Sequence, residues 1–125
     1  MSEENKKAVV AFYEKALNER DVDPAFRQYA GAYYTQHNPL VEDGQDGVRK
    51  FADWIGKNNA KAHGEIKRVF ADGDYVILHS HWTGLIGKWG DAVVDIFRLE
   101  NGKIVEHWDV IQPIPETAAN KNTMF

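Results

Sequence analysis

The octapeptide from Glu106 to Pro113 carries His107 and Asp109 two positions apart, and a strand places residues two apart on the same face. An imidazole beside a carboxylate is the equipment of general acid–base chemistry. Asp95, in Val-Val-Asp-Ile-Phe, offers a second carboxylate, and His79-Ser-His81 repeats the two-residue spacing. A carboxylate is a weak base in water. Enclosed by residues such as Phe97, Ile111, Trp54 or Tyr33 it becomes a stronger one, because burial penalises its charged form. A second carboxylate at Asp95 raises one of the two further and can hold a shared proton. His79, His107 or His37 can donate a hydrogen bond to a developing enolate. The chemistry these groups suit is proton abstraction next to a carbonyl, with no cofactor.

Two rival readings use the same residues. His37, His79 or His81, His107, Asp95 and Asp109 can supply a two-histidine, one-carboxylate metal set. However, no compact motif such as His-Glu-x-x-His is present, and no residue is assigned as a metal ligand. In the second rival, a small-molecule binder or structural dimer, the groups only satisfy one another, His107 with Asp95 for example.

Those residues need a sheet, and the second half of the chain reads as one. Period-two patterns run through Gly-Glu-Ile-Lys-Arg-Val-Phe, through Asp-Tyr-Val-Ile-Leu-His-Ser-His-Trp, and through two strands joined by Glu100-Asn-Gly-Lys, a strong hairpin signal. His107, Asp109 and Ile111 share one face of the last strand; Glu106, Trp108, Val110 and Gln112 share the other. Asp95, Phe97 and Leu99 alternate with Val94, Ile96 and Arg98. Ile77, His79 and His81 alternate with Val76, Leu78, Ser80 and Trp82. One hairpin register sets Asp95 beside Asp109, and a slip of one residue does not.

The first half reads as helices. Ala8, Val9, Phe12, Tyr13, Ala16 and Leu17 recur at amphipathic spacing over residues 3–20. Asp21-Val-Asp-Pro breaks that helix, and Pro24 opens a short second one with Phe26, Tyr29 and Ala30 inward. Tyr33 to Gln36 is a short strand ending at His37-Asn38-Pro39. A third helix covers roughly Gln45 to Asn59. The order predicts an α+β domain, a curved antiparallel sheet with helices on one face. Residues 1–125 form a single domain, with 114–125 a loosely attached tail.

The bulk composition is that of a soluble globular protein. The 125 residues carry 15 basic and 19 acidic side chains, scattered, with no cysteine. Disulfide and thiolate chemistry are excluded, and there is no nucleic-acid footprint. No signal peptide or membrane-length apolar run is present, so a cytoplasmic protein is expected. The sheet is apolar on both faces, which predicts a homodimer through the face the helices leave open.

With Ala-Val-Val-Ala-Phe-Tyr-Glu-Lys-Ala-Leu-Asn-Glu-Arg-Asp in the first helix, the segment Tyr33 to Ile55, and the hairpin Val93 to Pro113, the chain resembles the SnoaL-like polyketide cyclases of the NTF2-like superfamily. That family includes a group described as aldol-condensation-catalysing enzymes. The resemblance implies a cone in which the sheet wraps the helices around a deep pocket. It implies that the His107/Asp109 face lines the pocket and that the Trp108 face is the outer one, often a dimer interface. Asp109 matches the family's general base. Asp95 stands where the family has an assisting histidine, which leaves His107, His79 or His81 for that role. His37-Asn38-Pro39 matches a segment at the pocket edge. The expected catalytic set is therefore Asp109, Asp95, His107 and His79. The expected contacts to a small hydrophobic keto substrate are His37, Asn38, Trp54, Tyr33, Phe97, His81 and Ile111.

Overall fold

The structure, a computed structural model, describes residues 2–125. Helix α1 (Ser2–Tyr13) buries Asn5, Val9, Phe12 and Tyr13, and continues into a π-helical turn, Glu14–Asn18, that adds Ala16. The turn closes with Glu19 N–H on Glu14 O at 2.9 Å, the wide hydrogen bonding that inserts a residue into a helix. Asn18 there pairs both ways with the Gly64 backbone, at 2.8 Å each way. Gly64 is required, because a Cβ would stand 2.3 Å from Trp82 Cε2.

Helix α2 (Val22–Tyr29) has Pro24 in its first turn, where a missing N–H leaves no bond unmade. It stops one residue earlier than the apolar spacing predicts. Ala30 instead opens strand β1 (Ala30–Gln36), which pairs with the last strand. Gly31 permits that approach, since a Cβ would lie 2.8 Å from Val105 Cγ1. Helix α3 spans Gly44–Asn58 and buries Gly47, Val48, Ala52 and Ile55.

Strands β2 (His63–Asp72), β3 (Tyr75–Thr83), β4 (Asp91–Glu100) and β5 (Lys103–Pro113) complete a sheet of order β1-β5-β4-β3-β2. Four strands form an antiparallel meander. Strand β1 runs parallel to β5, a mixed edge that the alternation alone does not reveal. The β4–β5 turn has Asn101 at φ 50° and Gly102 at φ 79°, the two positive values of the hairpin turn that an Asn-Gly pair favours.

The core lies between the helices and one face of the sheet. Val76, Leu78 and Trp82 from β3, Val93, Phe97 and Leu99 from β4, and Ile104 from β5 meet Val9, Phe12, Tyr13 and Ile55. Phe12 packs edge-on to both Phe26 and Phe97. Residues 114–125 contain no helix or strand, yet they lie against the opposite face of the sheet. Ile114 N–H bonds Gly90 O at 2.9 Å and the Phe125 ring stacks on His81. No helix among the described residues is long and apolar enough to cross a membrane.

Candidate functional site

Asp95 pairs directly with Asp109 across β4 and β5, and Phe97 pairs with His107. All four point toward the helices. Asp95 is 2% exposed and His107 6%, a depth at which an ionisable group must have a partner. His107 Nε2 lies 2.8 Å from Asp95 Oδ1 and 3.8 Å from Asp109 Oδ2. Its Nδ1 lies 2.8 Å from Gln36 Oε1, and that same oxygen accepts the Asn38 backbone N–H at 3.0 Å. The backbone donor fixes which end of the Gln36 amide faces the ring. Nδ1 therefore carries hydrogen and donates to Gln36, and one further proton is held between Nε2 and Asp95. Phe97 and Tyr34 flank the ring, with centroids 4.8 and 6.3 Å away.

Asp109 is set by a second amide. Asn38 Nδ2 donates to both of its oxygens, at 2.9 and 3.1 Å, while Asn38 Oδ1 accepts the Leu40 N–H at 2.9 Å and so cannot turn away. Burial pushes the Asp109 carboxyl above its ordinary value. The His107 charge pulls it back, Asp95 pushes it further up, and the Asn38 bond pulls down. Asp95 Oδ2 and Ser80 Oγ are buried with no close hydrogen bond, and the polar group beside both is the Tyr13 hydroxyl, which accepts from Trp82 Nε1 at 2.8 Å and points its own hydrogen toward them. Tyr34 is buried, and its hydroxyl makes no hydrogen bond among the described residues. Burial, then the charges of Asp95 and Asp109, hold its pKa well above the usual phenol value, so it keeps its proton.

These groups face a cavity of about 30 Å³ lined by Phe12, Leu17, Tyr34, Val41, Phe51 and the polar set, the share of roughly one water molecule. Val41 and Phe51 also line a larger outer hollow of about 280 Å³, walled by Leu40, Trp54 and Ile86. Val41 and Phe51 thus belong to the walls of both spaces.

The expected residues divide between the faces of the sheet. Asp95, His107 and Asp109 come together. Asn38 reaches the site as the residue that holds Asp109. Phe97 backs the His107 ring without lining the cavity, and Ile111 packs against the core beside it. Trp54 lines the outer hollow.

His79 and His81 do not reach the cavity. In β3 the buried alternation is Val76, Leu78, Ser80 and Trp82, so the histidines point outward, where His79 meets Arg68 and both meet Phe125. His37 also lies outside, stacked on Trp108 at 4.7 Å and paired with Glu106 at 2.7 Å. Tyr33 is 46% exposed and bonds Glu100. The cavity takes its neighbour Tyr34, together with Gln36, two residues the sequence pattern does not single out. The parity of β1 decides both, and a strand of two adjacent tyrosines gives no sign of which one turns in.

One oxygen of Asp95, one of Asp109 and a ring nitrogen of His107 lie within 4.8 Å of one another, so these three are the residues that could hold a divalent cation. The fit is chemically sound: oxygen and imidazole donors suit such an ion, and with Nδ1–H on Gln36 it is Nε2 that would ligate, the cation taking the place of the proton shared with Asp95.

A mixed sheet with helices on one face, enclosing a small buried acid–base cluster, defines a pocket-bearing cone of the NTF2-like type. The model of the SnoaL-like domain matches residues 9–107, and the chain belongs to that family. Solved structures agree on the fold. TsrD from Streptomyces laurentii superposes with TM-score 0.73 at 19% identity, covering 89% of this chain and 90% of that one. A candidate polyketide cyclase from Bacillus cereus gives 0.73 at 22% identity, over 86% and 74%. A candidate SnoaL-like polyketide cyclase from Jannaschia sp. CCS1 gives 0.72 at 15% identity, over 89% and 87%. A comparison with curated proteins found no match.

Proposed function

We propose that this SnoaL-like protein performs cofactor-free acid–base chemistry on a small hydrophobic keto substrate, of the aldol-condensation, cyclisation or isomerisation type. The observation that carries this reading is Asp109. It is a carboxylate raised by burial, fixed by Asn38, and placed at a cavity beside a phenol whose hydroxyl is free. Asp109 takes the proton from the carbon next to the substrate carbonyl, and the C–H electrons move into the enolate. Tyr34 O–H, aimed at no protein acceptor, donates to the enolate oxygen. The enolate carbon then attacks a second carbonyl carbon, whose oxygen takes the proton from the Asp109 carboxylic acid; in a β,γ-unsaturated ketone the same acid instead protonates the γ-carbon of the dienolate and the double bond moves into conjugation. His107 and Asp95 hold the charge balance of the site through their shared proton. The substrate body rests in the outer hollow against Leu40, Trp54 and Ile86, and its keto end displaces Val41 and Phe51.

The outer sheet face supports pairing of two copies, since Phe70, Tyr75, Val94 and Val110 are all exposed there.

The test is exchange of the α-protons of 1-tetralone in D2O, followed by proton NMR. Wild type should accelerate exchange, and Asp109→Asn should remove about 10²–10⁴-fold of that acceleration. Equal exchange in the two proteins defeats the proposal. The three-ligand span around His107 favours metal binding as a second reading. A near-stoichiometric transition metal in untagged protein purified without chelator would make Asp109 a ligand instead of a base.

A further inference from the structure

On the side of the sheet away from the acid–base cluster, the C-terminal segment encloses a hollow of about 720 Å³, within the size range of small-molecule sites. We propose that this hollow is a second ligand site, and that it takes an aromatic carboxylate.

Three observations carry the proposal. The first is charge: the lining includes Lys67 and no acidic side chain, and the terminal main-chain oxygen of Phe125 is already taken by Arg68 at 3.0 Å. Lys67 has Glu65 at 3.0 Å, but that glutamate is 62% exposed, and so open a pair is weak enough for a ligand carboxylate to compete with it. The second is shape. Trp89, His81 and Phe125 line the hollow, and Phe125 already stacks on His81 with centroids 4.4 Å apart at 20°. A planar ring can join that stack.

The third is a histidine whose ring nitrogens have no protein hydrogen bond. His81 makes no hydrogen bond among the described residues. Its Nε2 lies 3.0 Å from where a Cβ on Gly90 would sit, and Gly90 has φ 99°. Any side chain at position 90 would press on that nitrogen, so glycine is what lets the ring sit at the wall of the hollow. A ring lodged between Trp89 and Phe125 would bring a carboxylate to His81 and Lys67, with Gln112 as a further polar wall.

The experiment is calorimetric titration of the full chain with 1-naphthoate and, separately, with its neutral methyl ester. Saturable one-to-one binding is expected, with the acid about tenfold tighter than the ester, the scale of one charge-assisted hydrogen bond. Lys67→Met should abolish that preference, and His81→Phe, which keeps the stack but loses the nitrogens, should weaken the acid. Asp109→Asn should leave the affinity unchanged, because Asp109 lies across the sheet; this separates the outer site from the proposed catalytic one. Absence of saturable binding, equal affinity for acid and ester, or loss on Asp109→Asn with retention in Lys67→Met would each overturn the assignment.

Discussion

The buried His107–Asp95 pair makes a stability prediction that depends on which partner is removed. In His107→Leu, Asp95 Oδ1 loses its partner at 2.8 Å, so a 2%-exposed carboxylate keeps only the neutral Tyr13 hydroxyl beside it. Breaking a buried pair in this way costs about 3–5 kcal/mol, a fifth or more of the roughly 5–15 kcal/mol that stabilises a domain. For a chain of this length that lowers Tm by roughly 10–20 °C. Asp95→Val differs, because His107 keeps Gln36 on Nδ1 and has Asp109 Oδ2 at 3.8 Å to close on. Its cost should be about 1–3 kcal/mol. The double variant Asp95→Val/His107→Leu strands no charge between the two positions and should be more stable than His107→Leu alone. Urea denaturation at pH 7 on all four proteins closes the cycle. A His107→Leu loss under about 1 kcal/mol, or a double variant no better than His107→Leu, would refute the pairing.

Asp109→Asn should raise Tm at pH 7. The folded state raises the Asp109 pKa, so in the window above the ordinary carboxylate value the unfolded chain binds fewer protons and stability falls as pH rises; the advantage of the amide should shrink toward pH 4, as thermal scans across pH will show. Tyr34→Phe should slow ketone exchange by about 10²–10³-fold with little change in Tm, since its hydroxyl has no protein partner, whereas Tyr33→Phe should leave the rate unchanged. Asn38→Ala removes a bond that stabilises the Asp109 carboxylate, so the acidic limb of the pH–rate profile should move to higher pH.

Much of this architecture can be read from residue types. The helical spacing of Val9, Phe12, Tyr13 and Ala16 gives the first helix, and Asn101-Gly102 gives the hairpin turn. Less legible is the side each strand turns inward. In β3 both alternations are apolar enough to be a core face, and only the helices' coverage of Val76, Leu78 and Trp82 sends His79 and His81 outward. Near the pocket edge, Tyr34 and Gln36 are chosen over Tyr33 and His37 by the pairing of β1 with β5. That register shifts between Ala30 and Thr35, a long-range irregularity with no local signature.

The site itself depends on one such irregularity. From the hairpin turn, Glu100 pairs with Lys103 and Leu99 with Ile104, but the next residue of β4, Arg98, pairs with Glu106. Val105 is the extra residue, a bulge in β5. Ile104 and Val105 are both buried although they are adjacent, as they must be where alternation breaks. Without the bulge, Ile104 would set the parity of the strand: Glu106, Trp108 and Val110 would face the helices, and Asp95 would lie opposite Trp108. With it, His107, Asp109 and Ile111 turn inward and Asp95 meets Asp109. One inserted valine thus moves an imidazole and a carboxylate from solvent to the cavity wall and sends Trp108 to the outer face to stack on His37. The acid–base cluster is a consequence of strand register, and its only trace in the sequence is the doublet Ile104-Val105 where a strict alternation would have one apolar residue.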